Sequence, residues 1–105
     1  MTLMSRTRTF EIFSDPAHAW IKVSKRDLHD LFGRFWRKHF SACSHERGDY
    51  VYLEEDQDAA MFVDQLKFQK IDFKFKEHKS SESFSRIRRY SPLNPMTPAL
   101  GQGLY

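Results

Sequence analysis

The feature that most constrains this chain is a change of hydrophobic period within one continuous stretch. In YVYLEE (50–55), Val51 and Leu53 alternate with Tyr50, Tyr52 and Glu54, a period of two. In DQDAAMFVDQLKFQK (56–70), Ala59, Phe62, Val63 and Leu66 fall at i, i+3, i+4 and i+7, the apolar stripe of an amphipathic helix. IDFKFKEHK (71–79) returns to alternation, with Ile71, Phe73 and Phe75 facing in and Asp72, Lys74 and Lys76 facing out. Strand, helix and strand in direct succession require a sheet face for the helix to cover.

The upstream half repeats this alphabet. TRTFEIF (7–13) sets Phe10 and Ile12 against Thr9, Glu11 and Phe13; AHAWIKV (17–23) sets Ala19, Ile21 and Val23 against His18, Trp20 and Lys22. The SDPA turn signal between them predicts a hairpin. Ser24 and Asp27 form an S-x-x-D start, and Leu28, Leu31, Phe32 and Phe35 then recur at helical spacing until Gly33 interrupts. Residues 39–55 predict a second hairpin, with Phe40, Ala42 and Ser44 alternating with Ser41, Cys43 and His45 and a turn near Glu46–Asp49. FSRIRRY (84–90) predicts a last, basic strand. The expected fold is therefore α+β: an antiparallel sheet in ββαββαβ(β) order with two helices packed on one face, in a single domain over 1–90. SPLNPMTPALGQGLY (91–105), with three of the four prolines and no side-chain charge, is expected to be a flexible tail or an arm that orders on a partner.

Charge is segmented by sign. Residues 1–48 carry nine Lys/Arg and five Asp/Glu, 49–66 six acids and no base, and 67–90 eight bases and three acids. Such segmentation serves self-complementation or a charged partner. The lone Cys43 excludes an intrachain disulfide and a multi-thiolate zinc site. No apolar run approaches the roughly 20 residues of a membrane span, and the N-terminal residues lack the apolar core of a signal peptide. The expected setting is a reducing cytoplasm, with no membrane partner, no cofactor and no metal, as a monomer or small homo-oligomer.

The acidic run Glu54-Glu55-Asp56-x-Asp58 fails as a calcium loop, lacking the third ligand, the glycine and the late bidentate glutamate. A transition-metal site would need His18 or His78 beside Glu54 or Asp56. The structural reading makes Asp56 an N-cap and Asp58 a first-turn anion. It turns Glu54 to solvent with Tyr50 and Tyr52, and Glu55 toward the core side, where the Arg86/Arg88/Arg89 cluster would pair with it. Asp15, His18 and Trp20 read as a structural hairpin, Trp20 covering the open sheet face. A catalytic His18 oriented by Asp15 would lack a nucleophile in a recognisable setting, so no catalytic residue is assigned. Cys43 reads as a small packing residue. Tyr50, Tyr52, Glu54, Trp36 and Arg37 form the expected protein-binding surface; Lys74, Lys76, Arg86, Arg88 and Arg89 form the competing nucleic-acid surface, with Tyr90 and Phe84 beside it.

The stretches FSDPAHAWIKV, RGDYVYLEEDQDAAMF, FKEH and SRIRRY resemble a family of small uncharacterised proteins encoded in bacteriophages, prophages and plasmids. The likeness rests on Asp15, His18 and Trp20; on Tyr52, Leu53, Glu54, Glu55, Asp56 and Asp58; and on Ser85, Arg86, Ile87 and Arg88. It spans about residues 9–90 and departs at GRFWRKHF, which is longer here and carries extra aromatic and basic residues. The resemblance implies a mobile-element accessory protein and carries no catalytic role. The expected function is non-enzymatic: binding a host or phage protein, most concretely as a host-defence antagonist such as an anti-CRISPR-type inhibitor. Nucleic-acid binding through the basic C-terminal strand is the alternative, and a small metal-dependent enzyme on the His/carboxylate set a further one.

Overall fold

The computed structural model describes residues 7–82 and 85–94. Its order is β1 (Arg8–Ser14), β2 (Ala19–Ser24), α1 (Lys25–Phe32), a single 3-10 turn (Trp36–His39), β3 (His45–Arg47), β4 (Tyr50–Glu54), α2 (Gln57–Phe68), β5 (Phe73–Lys79), α3 (Ser85–Arg88) and β6 (Ser91–Pro92). The class is α+β, with one six-stranded sheet in the order β5-β1-β2-β4-β3-β6.

The sheet is mixed, not wholly antiparallel. β1–β2, β2–β4, β3–β4 and β3–β6 pair antiparallel, but β5 runs parallel to β1, with Phe10 opposite Phe75. The cause is α2. A helix between strands returns the chain to its starting end, so β5 runs in the direction of β4 and hence of β1. Two further elements depart from the sequence reading. The span before β3 is a 3-10 turn and loop rather than a long strand, and the expected strand at 84–90 is the helix α3. Phe84 lies outside the described residues.

Alternation gives the sheet two apolar faces. On the first lie Phe10, Ile21, Val23, Val51 and Leu53; Leu28 and Leu31 of α1, Phe62 and Leu66 of α2, and Trp36, Phe40 and Leu93 cover them. Phe62 meets Phe10 edge to face, centroids 5.0 Å apart. On the second face Trp20, Tyr52 and Ile87 form a smaller cluster, flanked by Phe13 and Tyr90. Trp20 lies where expected, but α3 seals it: Ile87 is buried and Tyr90 packs on Tyr52 at 5.0 Å. Helices thus sit on both faces. The chain also remains packed beyond residue 90, since Ser91 and Pro92 pair with β3 and Leu93 is buried. Residues 95–105 lie outside the described residues.

Helix ends follow local chemistry. Ser24 Oγ accepts the Asp27 N–H at 3.0 Å, and Gly33 closes α1 at φ 87°, a conformation that favours glycine. The Leu31 carbonyl at that end accepts Nε2 of both Gln65 and Gln69 from α2, each at 3.0 Å. At the start of α2 Asp56 occupies the expected N-cap position, but at φ 73° it makes no side-chain capping hydrogen bond.

Asp58 stands in the first turn of α2, as expected, and is buried there. It is 1% exposed and accepts the Ser41 N–H at 3.0 and 3.1 Å, the Ser41 hydroxyl at 2.8 Å and the Ser44 hydroxyl at 2.5 Å. Ser44 Oγ in turn accepts the Glu54 N–H at 3.0 Å, and its carbonyl accepts the Leu93 N–H at 2.9 Å. One carboxylate therefore fixes the loop before β3, the end of β4 and the approach of the last residues.

A second polar clamp lies on the first face. Arg37 grips Glu46 with two hydrogen bonds, at 2.9 and 3.0 Å, and Lys25 joins at 2.7 Å. The Arg37 hydrogen bond, against the opposing effect of burial and with help from Lys25, holds the Glu46 carboxyl at about 2. Trp36, 7% exposed, and Arg37 are thus structural rather than parts of a free binding surface.

Two outcomes follow. Asp58→Ala leaves three donors unmatched, the Ser44 hydroxyl fully buried and the two of Ser41 half-buried, and should lower unfolding stability by about 3 kcal/mol in urea denaturation; a loss under about 1 kcal/mol would show the loop to be held by other means. Glu46 is depressed when folded, so its stabilisation is full above the usual carboxylate range and fades as pH falls through its folded value of about 2. Wild type should lose roughly 1–2 kcal/mol more than Glu46→Gln on acidification across that window, after discounting the partly exposed Arg37. Parallel acid curves for the two proteins would contradict this.

Candidate functional site

The second sheet face collects the chemistry. β2, β4 and β3 present Trp20, Lys22, Tyr50, Tyr52, Glu54, His45 and Arg47 there, by strand parity and the observed register. β1 and β5 add Glu11, Phe13, Lys74, Lys76 and His78. α3 lies over one end and supplies Arg86 and Arg88, followed by Arg89 and Tyr90.

A pocket of about 240 Å³ opens beside α3, lined by His18, Trp20, Cys43, His45, Glu54 and Arg88. The hairpin before β2 delivers His18. The Asp15 Oδ1 accepts the N–H groups of Ala17 and His18 at 2.9 and 2.8 Å, an Asx turn that fixes the loop. His18 Nδ1 then meets Glu54 Oε2 at 3.1 Å. Arg88 reaches Asp15 Oδ2 at 3.4 Å and lies over the Trp20 ring at 5.6 Å. Burial pushes His45 below its ordinary value, with the Glu54 charge opposing. Desolvation pushes Tyr52 up, assisted by Tyr90.

These contacts revise the sequence reading at several residues. Tyr52 is 9% exposed, not solvent-facing, because α3 and Tyr90 cover it. Glu54 has the internal partner, His18; Glu55 is exposed. Arg88 pairs with Asp15 rather than with Glu55. Cys43 is exposed at the pocket rim and not a packing residue. Tyr50 alone of the expected protein-binding set is an exposed large apolar side chain. Cys43 and His45 of the pocket were missed; Cys43 lies in the loop before β3, where strand parity carries no signal. His18 does approach Glu54, and His78 Nε2 approaches Glu11 at 3.0 Å, yet among the described residues no three His, Cys, Asp or Glu side chains gather closely enough to hold a metal ion.

The second cleft on this face is wider and more open, about 450 Å³, lined by Glu46, Arg47, Gly48, Arg89, Tyr90 and Ser91. Arg47 lies over the Tyr90 ring at 5.2 Å. Acids on the face are each engaged: Glu11 by His78, Glu54 by His18 and Asp15 by Arg88. Lys74, Lys76 and Arg89 are exposed and form no ion pair among the described residues. The face is therefore basic, with aromatic rings between its cations. No described helix is long and apolar enough to cross a membrane.

His45 offers a direct test of the pocket's electrostatics. In an NMR pH titration its imidazole should titrate below 6.5, and Glu54→Gln should lower it further, because the lost carboxylate was the opposing, raising influence. An upward shift in that variant would contradict the assigned surroundings. Compared with known proteins, the chain stands on its geometry alone: no family model, no curated protein and no solved structure matches it.

Proposed function

We propose that this chain is a non-enzymatic accessory protein, acting in the cytoplasm of a bacterial host, that binds single-stranded nucleic acid through the basic face of its sheet. The observation that carries the reading is the Arg47–Tyr90–Arg89 cleft, on a face that carries exposed Lys74 and Lys76 at its far, β5 edge and whose acids are already paired. Guanidinium groups beside a half-buried ring are suited to a strand, since the cations follow phosphates while a base stacks on the guanidinium or ring plane. Gly48, at φ 58° in the turn that lines the cleft, leaves open space where a side chain would stand. The mobile-element context suggested by the resemblance is compatible with such a role and does not specify it.

A protein partner is the second reading, and one observation favours it. Phe35, in the GRFWRKHF segment, is 57% exposed, with Arg34 and Lys38 over its ring at 4.8 and 5.0 Å. An exposed ring flanked by two cations suits an acidic partner surface, such as that of a defence complex.

The two are separated by experiment. A labelled uridine oligonucleotide should bind with an affinity that falls linearly in log salt, by about 0.7 per phosphate contact, and Arg47→Ala or Arg89→Ala should each reduce the slope by about that amount. Absence of salt-dependent binding would remove the nucleic-acid reading. Nuclease-resistant capture of one host protein, lost in Phe35→Ala, would establish the other.

A further inference from the structure

We propose that the pocket beside α3 receives one unpaired base of the bound strand and selects guanine; this inference rests on the nucleic-acid reading above. Three separate stretches that stand out in the sequence meet there. His18 and Trp20 come from the first hairpin, Glu54 from the end of β4 and Arg88 from α3, and Cys43 and His45 close the rim. At about 240 Å³ the pocket lies just below the roughly 300–1,000 Å³ of drug-sized sites, a volume for a single ring system.

The chemistry of the lining narrows the occupant. Glu54 is 20% exposed and positioned twice, through its N–H on Ser44 Oγ and through its carboxylate on His18 Nδ1. A carboxylate has about four acceptor positions, so one bond to His18 leaves capacity for a ligand's N–H groups. Guanine is the base that sets two N–H donors, N1–H and the N2 amine, side by side on one edge, the arrangement a carboxylate accepts best. Its neighbouring edge carries O6 and N7, the pair that arginine recognises bidentately. Arg88 is the pocket's arginine, steadied by Asp15 and by the Trp20 ring.

The floor supplies an independent observation. Trp20 is 2% exposed, and its Nε1 has no hydrogen-bond partner among the described residues. An indole N–H buried without an acceptor costs free energy; with less than 1 Å² of it accessible, it meets a ligand atom only if the ring or its cover shifts on binding. His45 Nδ1 is likewise buried and without a partner. A phosphate would suit the pocket poorly, because Glu54 would repel it. The strand's phosphates find their cations outside, at Arg47, Arg89, Lys74 and Lys76.

The test compares a uridine dodecamer with the same RNA carrying one central guanosine, by fluorescence polarisation on the full chain. The guanosine strand should bind roughly five- to hundredfold more tightly. Inosine at that position lacks the N2 amine and should lose most of the gain. In Glu54→Gln, and in Cys43→Trp, which fills the pocket from its rim without altering Glu54, the ratio of the two affinities should fall to about one. Equal affinity for guanosine, inosine and uridine strands would overturn the pocket assignment while leaving the basic-face reading standing. Failure of every strand to bind would overturn both. A guanosine preference that survives Cys43→Trp would locate base selection elsewhere on the face and also overturn the proposal.

Discussion

The buried carboxylate of Asp58 is the constraint on which the rest of the structure depends. It stands in the first turn of α2, yet its partners lie in the loop that leads into β3. A loop without regular hydrogen bonding must still satisfy its backbone, and a buried carboxylate must find donors; each requirement meets the other. Because Ser44 also accepts from the backbone of Glu54 and its carbonyl receives Leu93, the same knot sets the height of the β4 end and seats the last strand. The position of Cys43 and His45 beside Glu54 is a consequence of it. A core contact and the geometry of the pocket therefore share one residue.

The sign-segmented charge has a matching structural account. The acids of 49–66 do not form a site. Asp58 is consumed by the loop, Glu54 takes one bond from His18, and Glu55 and Asp56 stay exposed at the turn into α2. Lys74, Lys76 and the arginines of 86–89 fall on the second face because β5 alternates and α3 lies across that face. Self-complementation and partner binding are not alternatives here. Arg88 pairs with Asp15 and His78 hydrogen-bonds Glu11, while Lys74, Lys76 and Arg89 are left exposed on the same side.

Much of this was legible in the sequence, and the limits are physical. Alternation correctly grouped Tyr50, Tyr52 and Glu54 on one face and Val51 and Leu53 on the other. Parity reports which residues share a face, but not whether that face is covered. Tyr52 is buried because α3 and Tyr90 lie on it, a long-range contact from beyond residue 84. The same limit reversed Glu54 and Glu55: β4 ends at Glu54, and past a strand end parity has no meaning. SRIRRY has the bulk and charge of an edge strand, but one apolar anchor, Ile87, seats it as a single helical turn. The parallel pairing of β5 was hidden for a different reason. Strand direction follows from the connection, and a twelve-residue helix makes a crossover where a turn would make a hairpin.

Residues held only by local propensity proved the least predictable, and those with a long-range polar partner the most informative. Asp56 has N-cap chemistry but no cap, since at φ 73° it makes the turn instead. His18 resembles an ordinary hairpin residue until Glu54, distant in sequence, is placed beside it. An elementary rule accounts for both. Apolar period is written locally because every member of a stripe needs the same surface, whereas a buried hydrogen bond needs one particular partner, and the chain supplies that partner only after folding. The pocket beside α3 is built from such pairs. Its unmatched groups, the Trp20 and His45 nitrogens, are the places where that rule is still unfulfilled within the described residues.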